Sequence, residues 1–128
     1  MKRKTRGRRA AIKAARLSKF YAHRVGAVLF NGPRLISLGY NVHKSHPENT
    51  CFTRHAEFNS LKRTKTRTNN LVMYVARLTR TDKISLARPC PACQIKIREA
   101  GIREVYYTTH SGELEKLTFD AELVGSNV

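Results

Sequence analysis

Ala10, Ala14, Leu17 and Tyr21 recur at steps of four, three and four, which predicts an amphipathic helix over roughly 9–22. Its other face carries Lys13, Arg16 and Lys19. Val25 to Phe30 is a short apolar run, and the Asn31-Gly32 pair behind it is a strong hairpin signal, with a partner strand at Leu35 to Tyr40. His43 to Thr50 is polar and holds Pro47, so it reads as a loop, and Arg54 to Arg63 reads as a helix. Leu71 to Leu78 predicts a third strand, mostly buried. A helix over Pro91 to Ala100 should close at Gly101, since glycine takes the left-handed cap conformation without strain. Arg103 to Thr109, with Val105, Tyr106 and Tyr107, reads as a fourth strand. Ser111-Gly112 then turns the chain into a short fifth strand near Leu114 to Thr118. A parallel return would need a crossover of a dozen residues or so, so this last pair is expected to be an antiparallel hairpin. The order α-β-β-α-β-α-β-β implies an α/β fold with one central sheet covered by helices.

Composition sharpens the picture. The chain has 128 residues and is 41% hydrophobic, enough for one core and against a disordered tail. Its apolar runs fall far short of a membrane span, so no membrane partner is expected. Charge is the unusual feature: 25 Lys and Arg against 9 Asp and Glu, a formal net charge of +16. Such an excess points to a polyanion, because Lys and Arg displace counterions from phosphate backbones. No acidic residue precedes Glu48. The opening Met1 to Arg9 lacks the apolar stretch of a secretory signal. It reads as a basic arm whose Lys2, Arg3, Lys4, Arg6, Arg8 and Arg9 touch nucleic acid, with a single domain over 10–128. Nuclear or organellar targeting by that arm stays open. A second basic run, Lys62, Arg63, Lys65 and Arg67, is assigned the same contact rather than a merely solvated face.

Three cysteines cannot all pair, and Cys90 and Cys93 form Cys-x-x-Cys. Without an apolar leader this points to an intracellular, cytoplasmic and reducing compartment, and to metal or redox chemistry. His55-Ala56-Glu57 and Pro89-Cys90-Pro91-Ala92-Cys93 each fall at the start of a predicted helix. His55, Cys90 and Cys93 supply three ligands suited to tetrahedral zinc with one position left for water. Helix N-termini favour thiolates, and Glu57 is placed to act as general acid and base. The competing reading recruits Cys51 as a fourth ligand, giving a closed structural zinc in a basic nucleic-acid-binding protein. His43 and His46 read as solvated loop residues, with help in holding a phosphate as the alternative.

His-x-Glu followed by Pro-Cys-x-x-Cys is the signature of zinc nucleobase deaminases, and the sequence resembles the cytidine/deoxycytidylate deaminase superfamily from about Val25 to its end. Gly39-Tyr40-Asn41 resembles that family's Gly-x-Asn, and Gly101 to Tyr107 resembles the stretch after its metal-binding helix. The resemblance implies a three-layer α/β/α sandwich with a central five-stranded mixed sheet. It implies zinc as cofactor on His55, Cys90 and Cys93, Glu57 as proton shuttle and Asn41 orienting the sugar. The carbonyl of Arg88 and Ala56 would lie near the base edge, and one of Tyr106 and Tyr107 near the pocket rim. The implied reaction is hydrolytic deamination of cytosine to uracil. The basic residues favour a single-stranded DNA (or RNA) substrate, as in a compact single-stranded DNA cytosine deaminase. A free dCMP- or cytidine-type nucleotide is the alternative, and a non-catalytic structural-zinc protein the third reading.

Overall fold

The computed structural model describes residues 3–19, 23–43, 53, 54, 56, 60 and 70–118. Helix α1 (Arg3–Arg16) leads into the hairpin of β1 (Arg24–Asn31) and β2 (Arg34–Tyr40). Two short strands, β3 (Val42–His43) and β4 (Thr53–Arg54), pair antiparallel in a separate ribbon. Then come β5 (Val72–Leu78), β6 (Ile84–Ser85), α2 (Pro91–Ala100), β7 (Glu104–Thr108) and β8 (Leu114–Lys116). The main sheet runs β2-β1-β5-β7-β8, with β6 paired to the end of β5. Only β5 and β7 are parallel, and α2 is the crossover between them. Strand β8 returns antiparallel to β7, as the Ser111-Gly112 turn predicts. The sheet has six strands, not the five expected. Two-residue β6 was invisible because so short a segment carries no periodicity.

Side-chain alternation divides the sheet into two faces. Ala27, Leu29, Met73, Val75, Val105 and Tyr107 share one core with Ala56 and with Ile97 of α2. Val28, Phe30, Tyr74, Ala76 and Tyr106 share the other with Ala11 and Ala14 of α1. Helices on both faces give the three layers implied by the resemblance. Phe30 meets Tyr74 edge-on at 5.7 Å, and Tyr74 stacks on Tyr106 at 5.6 Å, so one aromatic row crosses β1, β5 and β7 beneath α1.

The first helix departs from expectation. It spans Arg3–Arg16 rather than 9–22, so most of the supposed arm, Arg3 to Arg9, is its first two turns. The residues facing the sheet are Gly7, Ala11, Ala14 and Ala15. A Cβ on Gly7 would overlap the Tyr74 ring, and one on Gly26 would overlap the backbone of Ala11, Ala14 and Ala15. Close approach of helix to sheet therefore sets the register of α1, and large apolar residues do not. Leu17, expected on the apolar face, is 54% exposed, and Tyr21 lies outside the described residues. The helix closes with tight bonds from Leu17 N to Ala14 O and from Ser18 N to Ala15 O. Among the described residues no helix is long and apolar enough to cross a membrane.

Candidate active site

The loop after β6 runs past the end of β7, where Ala87 N donates to Thr108 O at 2.9 Å, and delivers the chain to α2. Cys90 is the extended N-cap residue (φ −70°, ψ 163°) and Pro91 opens the helix, where its missing N–H costs nothing. Gln94 N donates to Cys90 O at 2.9 Å, the first bond of the helix. Gln94, only 1% exposed, also sends its side-chain Nε2 to Pro89 O at 2.9 Å. The cysteine loop is thus clamped from inside. Cys93, three residues beyond Cys90 and 4% exposed, emerges on the same side of the first turn. Both thiols lie at the positive end of the helix dipole, which favours thiolate and hence a soft divalent metal. Two of the three expected zinc donors therefore occupy positions suited to zinc.

Ala56 is completely buried, in the same core as Ala87 and Ile97. Ser60, also buried, accepts a 2.8 Å bond at its carbonyl from the Ser37 hydroxyl. Ala56 and Ser60 are both helical. These contacts place Ala56 and Ser60 on the α2 face of the sheet. His55 and Glu57, which flank Ala56, lie outside the described residues, as do Cys51 and His46.

Asn41 is 5% exposed and spends its amide on the chain itself. Its Oδ1 accepts from Val25 N at 2.9 Å and its Nδ2 donates to His23 O at 2.6 Å. Its carbonyl accepts from the Ser18 hydroxyl at 2.9 Å. Asn41 therefore fastens the start of β1 to the end of β2 and to the turn after α1. Sequence reasoning missed this fastening role, just as it missed the Gln94 clamp.

Both tyrosines are buried, on opposite faces of the sheet. Tyr107 is 4% exposed on the α2 face, with its hydroxyl 3.5 Å from Arg88 Nη1. The exposed Arg88 guanidinium lies 6.0 Å from that ring and donates to Thr118 O at 3.1 Å. Tyr106, also expected to contact the substrate, points to the opposite face from Cys93 and Tyr107, because neighbours on a strand alternate. There its hydroxyl donates to Glu104 Oε2 at 2.9 Å, and Lys4 Nζ sits 4.8 Å above its ring. That bond, with Lys116 beside it, holds the Glu104 carboxyl below its ordinary value. Burial, followed by the Glu104 contact, pushes the Tyr106 phenol up.

The cations of the N-terminal segment, Arg3, Lys4, Arg6, Arg8 and Arg9, also belong to the α1 face. Arg8 Nε donates to Gly112 O at 2.7 Å and Arg6 Nη1 to Pro33 O at 3.2 Å. The sheet separates them from Cys90 and Cys93. Lys2, Lys62, Arg63, Lys65 and Arg67 lie outside the described residues.

The fold is similar to that of dCMP deaminase from cyanophage S-TIM5, with a TM-score of 0.63 at 22% identity over 85% of this chain and 86% of that one. Cytidine deaminase from Burkholderia pseudomallei gives 0.61 at 23% identity, over 90% and 94%. A deoxycytidylate deaminase of Schizosaccharomyces pombe is 30% identical over a match covering 75% of this chain. The chain spans about a third (34%) of that curated relative's length. Residues 1–109 match the model of the cytidine and deoxycytidylate deaminase zinc-binding region. With that match over most of its length, the chain belongs to the zinc-binding cytidine and deoxycytidylate deaminase family.

Proposed function

We propose that this chain removes the 4-amino group of a free cytosine nucleotide, of the deoxycytidylate type, by zinc-dependent hydrolysis. The observation that carries the reading is the N-terminus of α2, where Cys90 and Cys93 lie on the sheet face that also buries Ala56. His55, Cys90 and Cys93 would hold the metal. Bound there, zinc supplies Lewis acidity that brings a water's pKa toward neutrality. Glu57 takes a proton from the attacking water, which adds at C4 of the base. The same carboxyl delivers that proton to N3, then takes the proton of the new C4 hydroxyl and passes it to the 4-amino group, so that the C4–N bond breaks and ammonia leaves as the C4 carbonyl forms. One group thus serves as base and then as acid. Ala56 and the Arg88 carbonyl border the base edge, and Asn41 orients the sugar through whatever hydrogen-bonding capacity β1 leaves it.

The free nucleotide is favoured over a single-stranded polynucleotide for two reasons. The curated relative is named a deoxycytidylate deaminase, and a structure of the similar cyanophage enzyme is a complex with dCMP and dUMP. The described cations of the N-terminal segment, meanwhile, lie across the sheet from α2. The test measures ammonia release from dCMP, deoxycytidine, CMP and cytosine-containing single-stranded DNA. Fastest turnover of dCMP is expected. Preference for the oligonucleotide would return the substrate to nucleic acid. Zinc retained with no ammonia from any of the four would leave a structural-zinc protein.

A further inference from the structure

The basic residues of α1 remain unexplained by a small-molecule site on the other face. Arg6, Arg9, Lys13 and Arg16 follow one another at steps of three, four and three, so they form one stripe on the helix. Gly7, Ala11, Ala14 and Ala15, which face the sheet, lie on the opposite side, so the stripe faces solvent, with Arg6 at its start also reaching the Pro33 carbonyl. All four stripe residues are exposed. Among the described residues no carboxylate pairs with any of them, and α1 contains no acid. A merely solubilising surface would mix the two signs, whereas these four repel each other along one face. At 1.5 Å per residue the stripe is about 15 Å long, a rigid row of like charge.

From this we infer that the outer face of α1 is a docking ridge for the phosphate backbone of double-helical nucleic acid. Three of the four cations are arginines, whose planar fork grips phosphate oxygens in pairs. The cations recur about every 4.5–6 Å along the helix, of the same order as the roughly 3.4 Å phosphate spacing of one duplex strand. Single-strand binders add aromatic platforms for the bases. Here Phe30, Tyr74 and Tyr106 are buried under the helix instead. A membrane-surface helix must offer an apolar face, and that of α1 is already packed on the sheet. An acidic protein partner would be met by apolar or aromatic anchors at the contact centre, whereas the exposed apolar residue beside the stripe, Leu17, stands at its far end. The ridge is independent of the catalytic reading, because it lies on the other side of the sheet from α2. It holds the domain on nucleic acid without presenting that nucleic acid as substrate.

The test uses the whole chain and a short fluorescein-labelled DNA duplex, titrated at several salt concentrations. Replacing Arg6, Arg9, Lys13 and Arg16 together by Gln removes four contacts, and each neutralised duplex phosphate contributes about 0.9 to the slope of log K against log salt. The slope should flatten by about 3.6, while the melting temperature and dCMP turnover stay at the parent's values. Should the fourfold variant fold poorly, Arg9→Gln with Lys13→Gln decides, with an expected flattening of about 1.8. Unchanged affinity and slope would overturn the ridge. Tighter binding of a single strand of equal length would overturn the duplex as its occupant. Displacement of the duplex by polyglutamate or by phosphatidylserine vesicles at equal charge would give the ridge to a protein or a membrane. A matching fall in dCMP turnover by a well-folded variant would overturn its independence from the catalytic site.

Discussion

The two faces of this sheet are packed on different principles. Under α2 the core is mainly aliphatic, with Leu29, Leu71, Met73, Val75 and Ile97 joined by Tyr107, beside a polar clamp at the cysteine loop. Under α1 the interface is backbone against ring: Gly7 rests on Tyr74, and Gly26 lets the helix backbone touch the strand. The first face carries its chemistry in side chains at a helix N-terminus. The second carries only charge, directed outward from a helix held close by small residues. A reactive site needs donors fixed at hydrogen-bond precision, and Gln94 and Asn41 provide such anchoring. A polyanion ridge needs only a rigid row, which α1 provides.

Replacing ligands should separate the faces most sharply. Cys93→Ser is expected to lose the metal and with it measurable ammonia release. Cys51→Ser should keep one zinc per chain, since catalytic zinc sites use three protein ligands and leave the fourth position to water. Metal analysis and turnover on the same samples check both. Loss of zinc from the Cys51 variant would convert the site to a closed structural one.

The helix-sheet contact should respond in stability alone. Gly26→Ala sets a Cβ against helix backbone atoms that cannot rotate away, so it should cost at least the roughly 1–3 kcal/mol typical of overpacking. Gly7→Ala meets a tyrosine ring that can shift, and should cost less. Thermal melts rank the two, and an equal or reversed order would mean that α1 slides rather than strains. On the other face Asn41→Ala leaves Val25 N and His23 O without their partner, a loss of about 1–3 kcal/mol. If Asn41 also touches the sugar, KM for dCMP rises as well, whereas a purely structural residue leaves KM unchanged.

The smallest effect is one of pH. Glu104 has its carboxyl pKa lowered in the folded state, first by the Tyr106 hydroxyl and then by Lys116. Its contribution is therefore complete above the ordinary carboxylate range near pH 4 and is lost as pH falls through the lower folded value. Glu104→Gln should therefore lower stability slightly at neutral pH and hardly at all below the folded value, so that the fall in stability across the acid limb becomes shallower. A variant with an unchanged acid limb would show that the carboxyl gains nothing from its partners.

Much of this was legible because the signals were local. Pro91 at the helix start and Gly101 at its end mark α2 to the residue, and Asn31-Gly32 places the first hairpin. The antiparallel return of β8 follows from the short Ser111-Gly112 turn between β7 and β8, which leaves no room for a crossover. What escaped depends on tertiary approach. Gly7 reads as a helix weakener until Tyr74 is seen beneath it, so the sequence pattern starts the helix too late and its first turns read as an arm. Tyr106 and Tyr107 alternate visibly in the sequence, but only the packing says which face holds the site. Asn41 matched a family motif at the right strand end, yet its bonds to residues 23 and 25 come from a pairing that no local pattern encodes.

The central claim, that the α2 face hydrolyses a free cytosine nucleotide with Glu57 moving the proton, is tested most directly by Glu57→Ala. Zinc content and ammonia release from dCMP are measured on one preparation of the parent and one of the variant. The account predicts one zinc per chain in both, and a fall in turnover of at least the roughly 10²–10⁴ that a positioned acid and base supplies. Turnover within a few-fold of the parent, with zinc still bound, would contradict it.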